Sequence, residues 1–221
     1  MNIDCMPLFP SNLFKSHIDP LSYDKTKIIE TVLRNYDLQN HRNEWDNSAK
    51  MHHYYNDWEN ELFEKIDLSE VTDQYHMLYK NILDQMFNSP INFNVVVENI
   101  TVHKGSDNFM SAHNHINEQV FLSGVHYIKC DEKSARLSLI NPLIYSEYPN
   151  LSVQNITSKK LDGSNPMNSS YFKQWEYSVN QDEMIVFPAY LNHKVERSQY
   201  EDSDFRIAIV TNLHIYNTEN Q

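Results

Sequence analysis

The chain has 221 residues, a formal net charge of −12 and only 3 glycines, where an average composition would supply roughly 15. Gly105, Gly124 and Gly163 stand far apart and none precedes a lysine, which excludes a dinucleotide fingerprint and a P-loop. The negative charge removes phosphate attraction as a global force and disfavours a nucleic-acid partner. No apolar run approaches the 18 residues of a membrane helix, and the N-terminus lacks the basic and apolar regions of a signal peptide.

The first 89 residues read as mainly helical. Ile28, Ile29, Val32, Leu33 and Tyr36 recur at helical spacing over 23–38. Met51, Tyr54, Tyr55, Trp58, Leu62, Phe63 and Ile66 form a second stripe. Asp67, with Glu70 three residues on, offers an N-cap in the pattern of a capping box and is expected to open a third helix carrying Val71, Tyr75, Leu78, Ile82 and Met86. All three stripes are expected to be core faces.

After Ser89-Pro90 the period changes to two. Segments 92–104, 119–129, 136–141, 171–179, 183–187, 194–198 and 205–213 are β-branched and aromatic, and polar turns separate them. This pattern predicts one mainly β domain with N-terminal helices. Residues 1–89 are expected to form a mainly helical supporting layer, and 90–221 an antiparallel jelly roll. The polar stretch 145–170 reads as a long loop, a candidate lid or substrate-contacting segment. Cys5 and Cys130 provide neither a disulfide framework nor a zinc cluster, so a reducing cytoplasm is the expected setting.

His113-Asn114-His115 follows the first strong strand. Residues two apart on an extended segment share a face, so both imidazoles could bind one metal. Eleven histidines in 221 residues give roughly 0.5 such pairs by chance, so the motif alone is weak. A second piece is the apolar run Met184–Phe187, which ends at Pro188 and leads to His193. Two histidines from one strand end and a third from a distant strand match the facial arrangement of non-haem iron sites. Arg206 lies on an apolar strand, on the same face as Ala208 and Val210. A buried guanidinium must be paired, and its fork suits a carboxylate, either from a structural Asp or Glu or from a ligand. Gly105 and Gly124 bracket the histidine pair, where a tight turn and close backbone approach are expected.

His113-Asn114-His115, Leu122-Ser123-Gly124-Val125-His126-Tyr127, Val186-Phe187-Pro188 with His193-Lys194-Val195, and Arg206 together resemble a family of 2-oxoglutarate/Fe(II)-dependent oxygenases. That family is found in bacteria and phages and is related to prolyl hydroxylases. Met6-Pro7-Leu8-Phe9-Pro10 resembles the family's usual opening. The resemblance implies a double-stranded β-helix with Fe(II) at one open end. His113 and His193 fall on the family's metal histidines, and Arg206 on the residue that grips the distal carboxylate of 2-oxoglutarate. Tyr127 falls on the second aromatic of the S-G-V-Y-Y strand, as a donor to the same co-substrate.

Two departures stand out. His115 occupies the position of the superfamily's carboxylate ligand. Three neutral imidazoles leave Fe(II) at a formal +2, against +1 with one carboxylate, so the third ligand is His115 or a nearby group such as Glu118. Strand periodicity favours His115. His126 replaces the first tyrosine of S-G-V-Y-Y; it should face away from Tyr127 and pack. The implied activity is a dioxygenase that uses Fe(II), 2-oxoglutarate and O2, with ascorbate as accessory reductant. It would release succinate and CO2 while hydroxylating a peptide side chain or a small molecule. Two rivals remain. One is a cupin-type metalloprotein built on Gly105, His113, His115, Glu118 and Gly124; the other is a jelly-roll binding protein without turnover. Oligomeric state is not readable from the sequence.

Overall fold

The computed structural model describes residues 11–38, 52–53, 63–106, 108–116, 119–143, 148–157, 159–162, 168, 171–202 and 204–216. In chain order the elements are β1 (Phe14–His17), α1 (Lys25–Leu38), β2 (His52–His53), α2 (Ser69–Met86), β3 (Asn92–His103), β4 (Met110–His113) and β5 (Leu122–Lys129). They continue with β6 (Leu137–Ile140), α3 (Tyr148–Thr157), β7 (Gln174–Tyr177), β8 (Glu183–Pro188), β9 (His193–Val195) and β10 (Arg206–Tyr216). The larger sheet has the order β1-β8-β5-β10-β3-β2 and the smaller β4-β9-β6-β7. All pairings are antiparallel. From β3 onward the chain passes repeatedly between the two sheets, which is the winding of a double-stranded β-helix.

The long apolar runs follow from burial on both faces of the larger sheet. In β8, Met184 and Val186 join the core under the helices, whereas Ile185 and Phe187 point between the sheets. In β10, Ile207, Ile209 and Leu213 face the helical side and Ala208 the barrel interior. Tyr75, Tyr79, Ile82 and Leu83 of α2 cover the outer face together with Ile28 and Val32 of α1.

Gly124 makes this layer possible. A Cβ there would lie 2.4 Å from Tyr79 Oη, 2.6 Å from Met184 Cε and 2.8 Å from Thr211 Oγ1. The expected close approach is therefore to α2 and its neighbours, not to the histidines. Gly105 has φ +64° in the turn after β3, with the Glu201 carbonyl 3.1 Å from any added Cβ, so that turn also requires glycine.

Several expectations are corrected. The described part of residues 1–89 is mainly the helices α1 and α2, but it also contributes two strands to the larger sheet, β1 against β8 and β2 against β3. Of the expected 51–66 helix, the described parts are β2 and the irregular segment 63–66; the remainder lies outside the described residues. Asp67 and Glu70 do not form a capping box. Asp67 Oδ1 accepts from Ser69 N at 3.0 Å and Ser69 Oγ at 2.7 Å, while Glu70 Oε2 accepts from Asp24 N at 3.2 Å and so ties α2 to the start of α1. The polar stretch 145–170 contains α3, whose second residue, Pro149, suits a first helical turn.

Candidate metal and co-substrate site

His113 ends β4, His193 begins β9, and the two are direct cross-strand partners. His115 lies beyond β4, so strand alternation does not place it. Its backbone N–H instead donates to the Ala189 carbonyl at 2.9 Å. Asn114 Nδ2 donates to Asn192 Oδ1 at 2.7 Å. These two bonds fold the segment after β4 back onto the β8–β9 turn. One ligand atom from each of His113, His115 and His193 then lies within 4.8 Å of the others.

Two rings are oriented from behind. His113 Nδ1 meets the Ser111 carbonyl at 3.0 Å, and His193 Nδ1 meets the Leu191 carbonyl at 3.0 Å. A carbonyl can only accept, so each Nδ1 carries the proton and each Nε2 carries the lone pair. Such carbonyl partners fix metal-binding imidazoles in orientation and tautomer. Burial, with the charge of His113 added, pushes His193 down to about 3. It is therefore neutral at physiological pH, the form a metal needs. Phe187 packs against the His193 ring with 4.7 Å between centroids. Glu118 lies outside the described residues, as do Cys5, Gly163 and the segment 6–10.

Arg206 lies at the first position of β10 and is 2% exposed. Its Nη1 donates to His103 Nδ1 at 2.9 Å, its guanidinium carbon lies 4.9 Å from the centre of the Tyr127 ring, and its Nε has no partner. Among the described residues it forms no ion pair. Glu183, a buried carboxylate, is committed to Lys15 at 2.5 Å, Tyr177 at 2.5 Å and Asn180 at 2.7 Å. The Tyr127 hydroxyl is buried without a partner. Burial pushes it up to about 12 against the pull of Arg206, so it remains a donor at neutral pH. A buried cation and a buried hydroxyl, side by side and with no ion pair among the described residues, could receive a carboxylate. The wall beside them is apolar: Val125, Leu137, Leu139, Ile185, Phe187 and Ala208.

Cys130 is no rival nucleophile, because burial pushes its thiol up to about 11. His126 points to the helical side, where its Nδ1 shares a 2.8 Å hydrogen bond with Tyr75 Oη. His103 was not visible as a site residue in the sequence. Only the β3–β10 register, which sets it directly opposite Arg206, gives it away.

A family profile described as "Putative 2OG-Fe(II) oxygenase" matches residues 101–212, just over half of the chain and a span containing every residue of this site. The chain belongs to the 2OG-Fe(II) oxygenases. The oxygenase is thus an oxidoreductase whose family works with Fe(II), 2-oxoglutarate and O2, and its histidine cluster could hold iron. Its fold is shared with a prolyl-4-hydroxylase from Pseudomonas putida, at TM-score 0.57 and 10% identity over 94% of each chain. It is shared also with a Trichoplax adhaerens prolyl hydroxylase solved in complex with a hypoxia inducible factor peptide fragment, at TM-score 0.53 and 12% identity over 91% of this chain and 83% of that one. The carbocyclase SnoK from nogalamycin biosynthesis aligns at TM-score 0.56 and 10% identity, covering 93% and 79%. No curated protein is similar enough in sequence to be matched. No helix among the described residues is long and apolar enough to cross a membrane.

Proposed function

We propose that the oxygenase binds Fe(II) through His113, His115 and His193, holds the distal carboxylate of 2-oxoglutarate on Arg206 and Tyr127, and hydroxylates a C–H bond of its substrate. The observation that carries this reading is the pair of Arg206 and Tyr127, which form no ion pair among the described residues and are buried inside the same barrel whose strands β4 and β9, with the segment after β4, carry the histidine cluster. His113, His115 and His193 would hold the iron, which would supply binding capacity for the co-substrate and O2. The bound iron supplies the oxidising chemistry, with 2-oxoglutarate leaving as succinate and CO2.

The chain's own contribution is orientation and exclusion. The Ser111 and Leu191 carbonyls hold the rings of His113 and His193 with Nε2 as the ligand atom. Arg206 supplies a fixed positive charge, and Tyr127 donates its proton to the carboxylate without transferring it. The apolar residues around Leu139 and Phe187 keep water from the space between. The chemistry requires no general base.

For the substrate, a peptide or protein side chain is the class we favour, since one structural neighbour was solved with a peptide. The segment around α3 would contact it. We place the enzyme in a reducing cytoplasm, in keeping with the unpaired thiol of Cys130. The test is anaerobic binding of 2-oxoglutarate to the Fe(II)-loaded protein, followed by succinate formation on admitting O2. Binding that depends on both Fe(II) and Arg206 supports the oxygenase site. Metal binding with no 2-oxoglutarate binding returns the reading to a cupin-type site, and no metal binding at all returns it to a non-catalytic jelly roll.

A further inference from the structure

The contact between His103 and Arg206 has a direction. Guanidinium nitrogens only donate, so His103 Nδ1 must be the acceptor of the 2.9 Å bond from Nη1. The His103 ring is therefore neutral while the contact holds, with its proton on Nε2. The two residues are direct cross-strand partners on β3 and β10, so their side chains leave the sheet on the same face. Both are 2% exposed, so water does not compete for the bond. On the other side of β10 the Tyr127 ring of β5 flanks the guanidinium. A β-bulge between β10 and β5 falls at Ile207/Ala208, beside this contact, the kind of irregularity that re-aims a side chain.

An arginine side chain has one free long edge once Nη1 is taken, the edge formed by Nε and Nη2. That edge is the side-on fork that grips a carboxylate with two parallel bonds. Nε, one of its two prongs, is the Arg206 atom that is buried without a partner. We propose that His103 is a positioning residue for co-substrate binding. By tethering Nη1 it sets the plane of the Arg206 guanidinium and presents the Nε–Nη2 edge to the distal carboxylate of 2-oxoglutarate. This inference rests on the assignment of Arg206 above, and it adds the residue that aims it.

The test uses the full chain loaded with Fe(II) under anaerobic conditions and titrated calorimetrically with 2-oxoglutarate. His103→Leu and His103→Phe remove the acceptor while keeping bulk, and either one reads the loss if the other fails to fold. His103→Asn sets Oδ1 close to where Nδ1 was. The leucine and phenylalanine variants should bind 2-oxoglutarate about tenfold to a hundredfold more weakly, the worth of a hydrogen bond to a charged group. Their Fe(II) affinity and their succinate formation at saturating 2-oxoglutarate should be preserved. His103→Asn should recover most of the lost affinity. Unchanged affinity in the leucine and phenylalanine variants, or an asparagine variant as weak as they are, overturns the positioning role. Arg206→Met separates the two levels. If it weakens binding while the His103 variants do not, only the role of His103 falls; if it leaves binding intact, the co-substrate assignment falls and the role of His103 with it.

Discussion

His126 and His193 are buried alike, and burial holds both near 3, far below the ordinary histidine range. Their surroundings differ in kind. His126 sits between the larger sheet and the helices, with Tyr75 hydrogen-bonded to its Nδ1 and the Tyr23 ring edge-on at 6.0 Å. His193 sits between the sheets, with its Nδ1 on a backbone carbonyl and its other face turned to His113 and His115. Desolvation alone therefore does not mark a metal ligand. What makes His193 a candidate ligand is the convergence of lone pairs, fixed from behind by carbonyl acceptors at His113 and His193.

The sharpest way to break this contrast is to remove one histidine from each place. His193→Ala should lower Fe(II) affinity by roughly a hundredfold or more, beyond the effect typical of outer-shell partners, and should abolish succinate formation. An anaerobic iron titration reads it, and undiminished iron binding would sink the cluster as the metal site. Arg206→Met should leave iron binding intact but weaken 2-oxoglutarate by about thirtyfold or more, as expected when one side of a buried charged pair is truncated. Calorimetry with the iron-loaded protein separates these two outcomes.

On the helical side the expected losses concern stability and not chemistry. Gly124→Ala drives a methyl into Tyr79, Met184 and Thr211, which should cost about 3 kcal/mol and lower Tm by roughly 6–12 °C for a chain of this size. His126→Phe should leave iron and 2-oxoglutarate binding unchanged while stranding the buried Tyr75 hydroxyl, at about 1–3 kcal/mol. The pH dependence gives this variant its signature. His126 is harder to protonate in the folded state than in the unfolded chain, where its pKa is near 6.5. The stability it supports is whole above pH 6.5 and drains as pH falls toward 3, by up to about 1.4 kcal/mol per pH unit. Denaturant melts from pH 7 to pH 4 should therefore show the wild type and His126→Phe converging on the acid side.

The sequence made one class of element plain and hid another. β8 and β10 were legible because burial on both faces leaves continuous apolar runs, and α1 because its stripe is regular. β1 reads Phe-Lys-Ser-His and β4 Met-Ser-Ala-His; each is four residues long and held by pairing more than by its own side chains, so neither announces itself. α3 has a weaker amphipathic stripe than α1 or α2 and contains a proline and two asparagines, so it passes for loop. At the site, the spacing of His113, His193 and Arg206 was readable. His115 reached the cluster through a backbone bond to Ala189 that no periodicity encodes. His103 was a lone histidine at a strand end until the register set it opposite Arg206.

The short strand β1 has an effect out of proportion to its length. It pairs with Glu183–Val186 of β8, whereas the two-residue β2 pairs with β3 only at Thr101 and Val102. On the β8 side the larger sheet thus ends in a strand too short to recruit another chain. Lys15, on β1, adds a charge to that rim and is anchored to Glu183. The strand that sends Ile185 and Phe187 between the sheets is thereby shielded from edge-to-edge pairing by one of the least conspicuous segments of the chain.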